Sequence, residues 1–411
     1  MMERFFARRR TVERMRSGSL GPYLDEFVQR LVEQGYAPES IRRRIRLGAD
    51  LGRWLARRRL GPADLDERRM ECFLQQRRRV LPNYCGERPA LEQLLAQLRD
   101  LGVAPGPSPG TDRTELEQIT TAYAGYLSQE RVLAPLTVGQ QVAYIRRFLS
   151  ERFGTKRVCC EALKPADIGR HLLRRNTPSS RGPQAVASAL RTFFRFLYIR
   201  GIVGIDLAGA VPSVAQWHLA GIPKFLAAEQ IEAVLQSCNQ ATVLGQRDHT
   251  VLLLLARLGL RASEVVRMEL EDLDWGAGEL MVRGKGGQQD RLPMPTEAGQ
   301  ALAAYLHHGR PPCATRRVFV RTHAPHRGFR TSAAINYLVS KAIDRVGLEP
   351  AHKGARLLRQ SLATDMLRQG ASLAQIGEVL RHRDLESTAL YAKVDVNALR
   401  ALAPPWPGNR A

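Results

Sequence analysis

The chain has 411 residues, of which 62 are Lys or Arg and 40 are Asp or Glu, so its formal net charge at pH 7 is +22. This length predicts two or three domains, and an apolar content of 44% is enough to form their cores. The longest apolar run, around residues 251–255, is too short to cross a membrane, which argues against a membrane protein. The charge predicts DNA or RNA as a partner, because each cation that neutralises a phosphate releases a bound counterion.

The N-terminal residues and the cysteines bear on the cellular compartment. The first ten residues, MMERFFARRR, lack the apolar stretch of a secretion signal. The six cysteines lie far apart except for the neighbours Cys159 and Cys160, and none forms a CxxC pair. This pattern favours reduced thiols over a disulfide or zinc framework. We therefore expect a cytoplasmic protein with no metal and no cofactor.

Two stretches rich in Pro and Gly divide the chain. Both show little periodicity, as linkers do. The predicted organisation is a helical domain at 1–100, a linker at 101–112, a second helical domain at 113–210, a linker at 211–224, a third domain at 225–395 and a tail at 396–411.

The first two predicted domains resemble one another. Residues 36–65 and 133–168 both start a helix with Ala-Pro, continue with an apolar stripe of helical period and close with Pro-Ala-Asp and an aliphatic residue. We interpret them as two copies of one small helical unit.

A helix predicted over residues 189–201 closes the second unit. Four large apolar side chains at helical spacing are expected in the core, and not as a platform for stacking bases: Leu190, Phe193, Phe194 and Leu197. Arg191 and Arg195 lie off that stripe. They are candidates for contact with DNA phosphates, although an Arg on a helix face is commonly just solvated.

The third domain mixes helices with one small sheet. Residues 227–238 and 247–259 have helical patterns, whereas 278–295 predict two short strands around a Gly-rich turn. The rest, up to residue 391, is predicted to be helical again. The expected fold class is therefore mainly α with a small antiparallel β-sheet.

Candidate functional residues recur along this third domain. Arg261 starts a helix just after Gly259, and Glu264 lies one turn on, where it can face and orient the guanidinium. Lys285 projects from the Gly-rich turn. Taken alone, the first pair is an ordinary salt bridge, and the lysine serves solubility.

Further candidates follow in the last third of this domain. Arg356 and Arg359 are three residues apart on one predicted helix, and a later helix ends at Arg381-His382. Tyr391 stands nine residues after that histidine. A lone His near a helix end or a lone Tyr is usually structural. The ordered set GLRxxE, GKG, LLRxS, RH and Tyr argues against that explanation.

This ordered set resembles the tyrosine recombinases, the phage-integrase family of site-specific DNA recombinases and transposon integrases. The resemblance covers the third domain throughout, and residues 113–210 resemble the helical core-binding domain that precedes it in the family. It implies helical N-terminal DNA-binding domains, a tyrosine-recombinase catalytic domain and catalytic residues at Arg261, Lys285, Arg356, Arg359, His382 and Tyr391.

Two positions depart from the family pattern. The second arginine is usually preceded by His-x-x or Lys-x-x, and this chain has Arg356. The position after Arg359, frequently His, is Gln360. His352 lies about one helical turn before Arg356 and would replace the missing imidazole only if a helix already extends there. Arg356 can donate to a phosphate but cannot act as a base at neutral pH.

The resemblance also implies a mechanism and partners. Tyr391 would attack a DNA phosphodiester to form a 3′-phosphotyrosyl bond without metal or ATP, and Arg261 with Arg359 would stabilise the charge on phosphorus. Lys285 would protonate the leaving 5′-oxygen, and His382 would donate to the phosphate or position the phenol. The expected assembly is a homotetramer on specific double-stranded sites, alone or with partner recombinases, that integrates or transposes a mobile element.

Two alternatives stay open at this point. A noncatalytic or accessory DNA-binding relative is supported by Arg356 and Gln360. A type IB topoisomerase shares much of the same chemistry and would relax DNA without sequence preference.

Overall fold

A computed structural model describes the chain at residues 1–79, 86–106, 115–154, 157–174, 183–213, 224–284, 288–382 and 388–394. The chain forms two compact units. One joins Met1–Gly106 with Gly221–Ala411, and the other is Pro107–Ala220. No helix among the described residues is long and apolar enough to span a membrane.

The described N-terminal part of the first unit contains α1 (Arg9–Arg16), α2 (Gly21–Glu33), α3 (Pro38–Arg57), α4 (Glu67–Arg78) and α5 (Glu87–Asp100). The longest, α3, begins with Pro38, whose missing N–H costs no intrahelical bond in a first turn. It buries Ile41, Ile45 and Trp54 in a core shared by all five helices.

A close backbone contact joins this helical part to the rest of its unit. His326 donates from its backbone N to the carbonyl oxygen of Gln34 at 3.1 Å. Gly35 follows with a φ of 78°, and a Cβ there would lie 2.1 Å from Cδ2 of His326. Only glycine fits this contact, because it combines a positive φ with the absence of a side chain.

The second unit contains α6 (Glu115–Gly125), α7 (Pro135–Phe153), α8 (Pro165–Leu173) and α9 (Pro183–Ile199). As predicted, the four apolar side chains of α9 are in the core: Leu190, Phe193, Phe194 and Leu197 are buried. The rings of Tyr123 and Phe193 pack edge to face, with their centroids 5.1 Å apart. A buried aromatic cluster of this kind stabilises the packing of α6 against α9.

Helices and a small sheet form the described remainder of the first unit. The helices are α10 (Ala228–Gln236), α11 (Val243–Arg257), α12 (Ala262–Arg267), α13 (Thr296–Ala304), α14 (Ala333–Arg345), α15 (Ala355–Arg368) and α16 (Leu373–Leu380). The apolar run in α11 is fully buried because neighbouring helices surround it. Tyr391 lies in a short 3₁₀ helix, Leu390–Val394, beyond α16.

The sheet is antiparallel with the strand order β1-β2-β3, formed by β1 (Leu273–Asp274), β2 (Glu279–Arg283) and β3 (Gln289–Pro293). The predicted hairpin is therefore confirmed, and the short β1 adds a third strand. The fold class is confirmed as mainly α with a small antiparallel sheet. The prediction that the chain is helical from the hairpin to residue 391 is wrong at 310–332, which contain isolated β-bridges and no helix. Such segments lack the periodicity by which helices are predicted.

Candidate active site

Arg261 and Glu264 form a tightly connected pair at the start of α12. The carboxylate of Glu264 accepts from the backbone N of Arg261 at 2.8 Å and from its Nη1 at 2.7 Å. Glu264 is buried, whereas the side chain of Arg261 is 38% exposed. The pair therefore orients a guanidinium that a large anionic ligand can still reach.

Arg359 on α15 lies behind this pair and is buried. Its Nη1 donates to the carbonyl oxygen of Gly259, and its Nη2 donates to that of Leu380. Burial lowers the pKa of Arg359 to about 10, and the nearby charges of Arg261 and Arg381 add to this effect. Arg359 thus remains a cation at neutral pH, held between the ends of α11 and α16.

The turn after α11 brings these elements close together. Gly259 has a φ of 56°, which favours glycine, and a Cβ there would lie 2.7 Å from Cδ2 of Leu380. This glycine permits α11 and α16 to end against one another.

The end of α16 carries an arginine in an unusual conformation. Arg381 has φ 53° and ψ 50°, the left-handed region that non-glycine residues seldom adopt. Its carbonyl oxygen accepts from Nη2 of Arg261 at 3.1 Å. Its own Nη2 donates to Glu264 at 2.9 Å. Sequence reasoning named Arg381 only as the residue before His382.

His382 and Tyr391 lie side by side with parallel rings. The ring centroids are 6.4 Å apart and the planes differ by 2°. Nδ1 of His382 lies 2.7 Å from the hydroxyl of Thr388, which fixes the ring orientation. The sequence analysis did not identify Thr388 as a candidate, although it lies between His382 and Tyr391 in the sequence.

Burial and positive charge change the pKa values of both rings. Burial, followed by the charges of Arg359, Arg261 and Arg381, lowers the pKa of His382 to about 4. Burial raises the pKa of Tyr391, and the charges of Arg359 and Arg356 oppose this change. At pH 7 the imidazole is therefore neutral and the phenol is protonated in this state.

Tyr391 packs into the same domain that holds the arginines. It is 4% exposed and shares a small core with Ala363 of α15 and with Ile376 and Leu380 of α16. The structure therefore brings Arg261, Arg359, His382 and Tyr391 together within one chain.

The other predicted residues differ in their placement. Arg356 lies exposed on α15, and its charge acts on Tyr391. α15 begins only at Ala355, so no helix extends to His352. Lys285 lies outside the described residues, between β2 and β3 in the sequence.

The two arginines predicted to contact DNA lie on α9. Arg191 is partly buried and donates to the carbonyl oxygen of Pro212 at 2.9 Å. Arg195 is exposed. Of the two, Arg195 is therefore the more accessible side chain.

Residues 224–398 match the family model described as the phage integrase family. Over its length, the chain is 39% identical to an integrase/recombinase of Sinorhizobium fredii, y4rA, across 95% of this chain and 96% of that protein. It is also 32% identical to the tyrosine recombinase XerC of Oceanobacillus iheyensis, across 70% of this chain and 94% of that protein. The chain belongs to the phage-integrase family of tyrosine recombinases.

Solved structures of other tyrosine recombinases share the fold. XerH bound to a palindromic difH substrate has a TM-score of 0.54 at 18% identity, covering 71% of this chain and 88% of that one. The Tn1549 transposon integrase, in complex with a circular intermediate DNA, has a TM-score of 0.50 at 15% identity, covering 69% and 99%. As a tyrosine recombinase, the chain has a function in site-specific DNA recombination, which requires DNA cleavage and rejoining.

Proposed function

We propose that this recombinase cleaves one DNA strand by attack of Tyr391 on a phosphodiester, forming a 3′-phosphotyrosyl bond, and then rejoins the strand to a new partner. The observation that carries the proposal is the position of Arg359. It is buried between two helix ends, and its charge acts on the pKa of both Tyr391 and His382. A cation built into the fold beside a tyrosine suits a phosphate group.

The two arginines supply charge where the reaction needs it. Arg261 and Arg359 would donate to the nonbridging oxygens, on which negative charge grows as the phenol oxygen attacks. Because both stay charged without a change in protonation, this stabilisation needs neither ATP nor a metal ion. The phosphotyrosyl bond retains the energy for rejoining.

His382, Lys285 and Arg356 would transfer protons or bind the phosphate. His382 is neutral before DNA binds, so its free ring nitrogen would donate to a phosphate oxygen or accept the phenol proton. Lys285 would protonate the leaving 5′-oxygen. Arg356 would add a donor without acting as a base.

We further propose a homotetramer on double-stranded DNA with specific sites, acting in the cytoplasm in integration or transposition of a mobile element. The alignment with XerC covers 70% of this chain, whereas the alignment with y4rA covers 95% of it. A recombinase with an additional N-terminal helical part suits a mobile element better than chromosome maintenance. Recombination between DNA ends cloned from either side of the reading frame tests this role.

The proposed chemistry is tested by trapping the covalent intermediate on nicked suicide DNA made from these flanking sequences. Wild type is expected to form a protease-sensitive protein–DNA adduct, and Tyr391→Phe is expected to form none. Tyr305→Phe is a matched control, because Tyr305 is a buried tyrosine elsewhere in the same unit. An adduct in the Tyr391→Phe protein would contradict the assignment of the nucleophile.

A noncatalytic DNA-binding role is the second candidate, since an exposed Arg356 stands where the family usually has an imidazole. It predicts DNA binding by wild type with no adduct at any pH. A topoisomerase would instead relax plasmids that lack the flanking sequences.

A further inference from the structure

Glu264 serves two arginines and not one. Its Oε1 accepts from Arg261, and its Oε2 accepts from Nη2 of Arg381 at 2.9 Å as well as from the backbone N of Arg261. The side chains of Glu264 and Arg381 are 1% and 6% exposed. One buried carboxylate thus lies between two guanidiniums and cannot neutralise both of them.

Arg381 joins three separate elements at this point. Its backbone ends α16, its Nη2 reaches Glu264 on α12, and its Nε lies 3.9 Å from Oδ2 of Asp290 on β3. Within the part of the chain that the structure describes, its Nε and Nη1 are buried without a hydrogen-bond partner. Burying an arginine so incompletely paired is unfavourable, so a role other than stability is indicated.

The backbone conformation of Arg381 is also energetically unfavourable for a non-glycine residue. Its left-handed conformation would be adopted more easily by glycine. A glycine at this position would keep the turn and the carbonyl that Arg261 contacts, but it would leave Glu264 without its second cation. The arginine side chain therefore has a role beyond forming the turn, namely its contact with Glu264.

We propose that Arg381 is a positioning residue that shares Glu264 with Arg261, so that the Arg261 guanidinium is held in one orientation and its positive charge is not fully neutralised by the carboxylate. This inference rests on the proposed function, in which Arg261 binds the reacting phosphate. In this role Arg381 acts through Glu264, to which its Nη2 donates, and no contact with the DNA is assigned to it.

The first test compares two arginines in the same backbone conformation. Arg381→Gly is expected to lower the rate of adduct formation at saturating DNA roughly 10- to 100-fold, the range expected for a misplaced catalytic group. The DNA affinity, measured in the Tyr391→Phe background, should not change. Arg59→Gly is the matched control, because Arg59 is exposed and has a φ of 57°. A wild-type rate for Arg381→Gly would overturn the proposal.

The second test asks whether the effect passes through Glu264. In the Glu264→Gln background, Arg381→Gly should cause little further loss, since the shared carboxylate is already gone. A purely structural role predicts instead that the two losses multiply, and that result would also overturn the proposal.

A third measurement does not depend on cleavage. Rotation of the Arg261 guanidinium, followed by NMR on selectively labelled protein, should be slower in wild type and in Arg59→Gly than in Arg381→Gly. If wild type forms no adduct, the proposed function fails, yet this comparison still decides the role of Arg381. Rotation as slow in Arg381→Gly as in wild type would overturn it.

Discussion

Arg359 and Gly259 are 100 positions apart in the sequence, and Nη1 of the arginine donates to the carbonyl oxygen of the glycine. The other terminal nitrogen donates to Leu380, so the guanidinium joins the ends of two helices. Both contacts use the fork of the arginine side chain, which a lysine cannot reproduce. The orientation of the cation is therefore set by the fold before any DNA is bound.

Replacing Arg359 by lysine should abolish most activity although the charge is kept. We expect a fall in the rate of adduct formation of about 10²- to 10³-fold, because one preorganised donor is lost from the phosphate site. The rate is measured in single-turnover cleavage of suicide DNA. Arg368→Lys is the control on the same helix, since Arg368 packs over the ring of Phe225 and lies outside the proposed site. Equal rates for the two variants would contradict the proposed role.

Arg356 should affect the nucleophile through its charge. It opposes the rise in the pKa of Tyr391, so Arg356→Ala should raise that pKa further and slow adduct formation about tenfold at pH 7. Arg356→His should increase the rate above wild type if proton transfer is limiting. The measurement is the pH profile of adduct formation between pH 6 and 9. Unchanged profiles for both variants would show that the position is irrelevant.

The lowered pKa of His382 should make the fold less stable in acid. Its pKa is about 4 in the folded protein, against about 6.5 when unfolded, so unfolding takes up a proton between these values. The histidine's contribution to stability is present above pH 6.5 and is lost as the pH falls towards 4. The free energy of unfolding should fall by about 1–2 kcal/mol over this range, because solvent around the half-buried ring weakens the effect.

This pH dependence is measured by urea unfolding of wild type and His382→Gln at pH 7 and pH 4.5. His382→Gln should lose less stability than wild type between the two values, whereas His352→Gln, at an exposed position, should behave as wild type. The same pH dependence in all three proteins would argue against a lowered pKa of His382.

Gly259→Ala should destabilise the domain and reduce cleavage together. The new Cβ would meet Leu380 in addition to the strain of a positive φ, which together should cost about 2–4 kcal/mol. Gly278→Ala is the matched control, because Gly278 has a φ of 66° with nothing within 4 Å of its Cβ. Thermal unfolding should therefore show a larger loss at Gly259. Equal losses would mean that the contact with Leu380 can relax.

Much of the site could be predicted because its residues carry local signals. Arg261 and Glu264 are one helical turn apart after a glycine, and the order of Arg359, His382 and Tyr391 follows a family pattern. The buried apolar stripe of α9 was likewise predictable from the helical spacing of its residues. These features depend on neighbours in the sequence, where periodicity and capping rules apply.

Other features depend on contacts between distant residues. Arg356 and Arg359 are three positions apart on one helix, yet one is exposed and the other buried, because Arg359 meets the ends of α11 and α16. Arg381 reaches Glu264 across 117 positions from a backbone conformation that propensity would not assign to arginine. Neither placement follows from helical spacing alone.

The long separation between Gly259 and Arg359 also has a consequence during protein synthesis. A ribosome must release α11, α15 and α16 before the guanidinium can find both carbonyl groups, and Tyr391 emerges later still. A prematurely terminated chain would therefore contain basic helices but lack the tyrosine that is proposed to attack DNA.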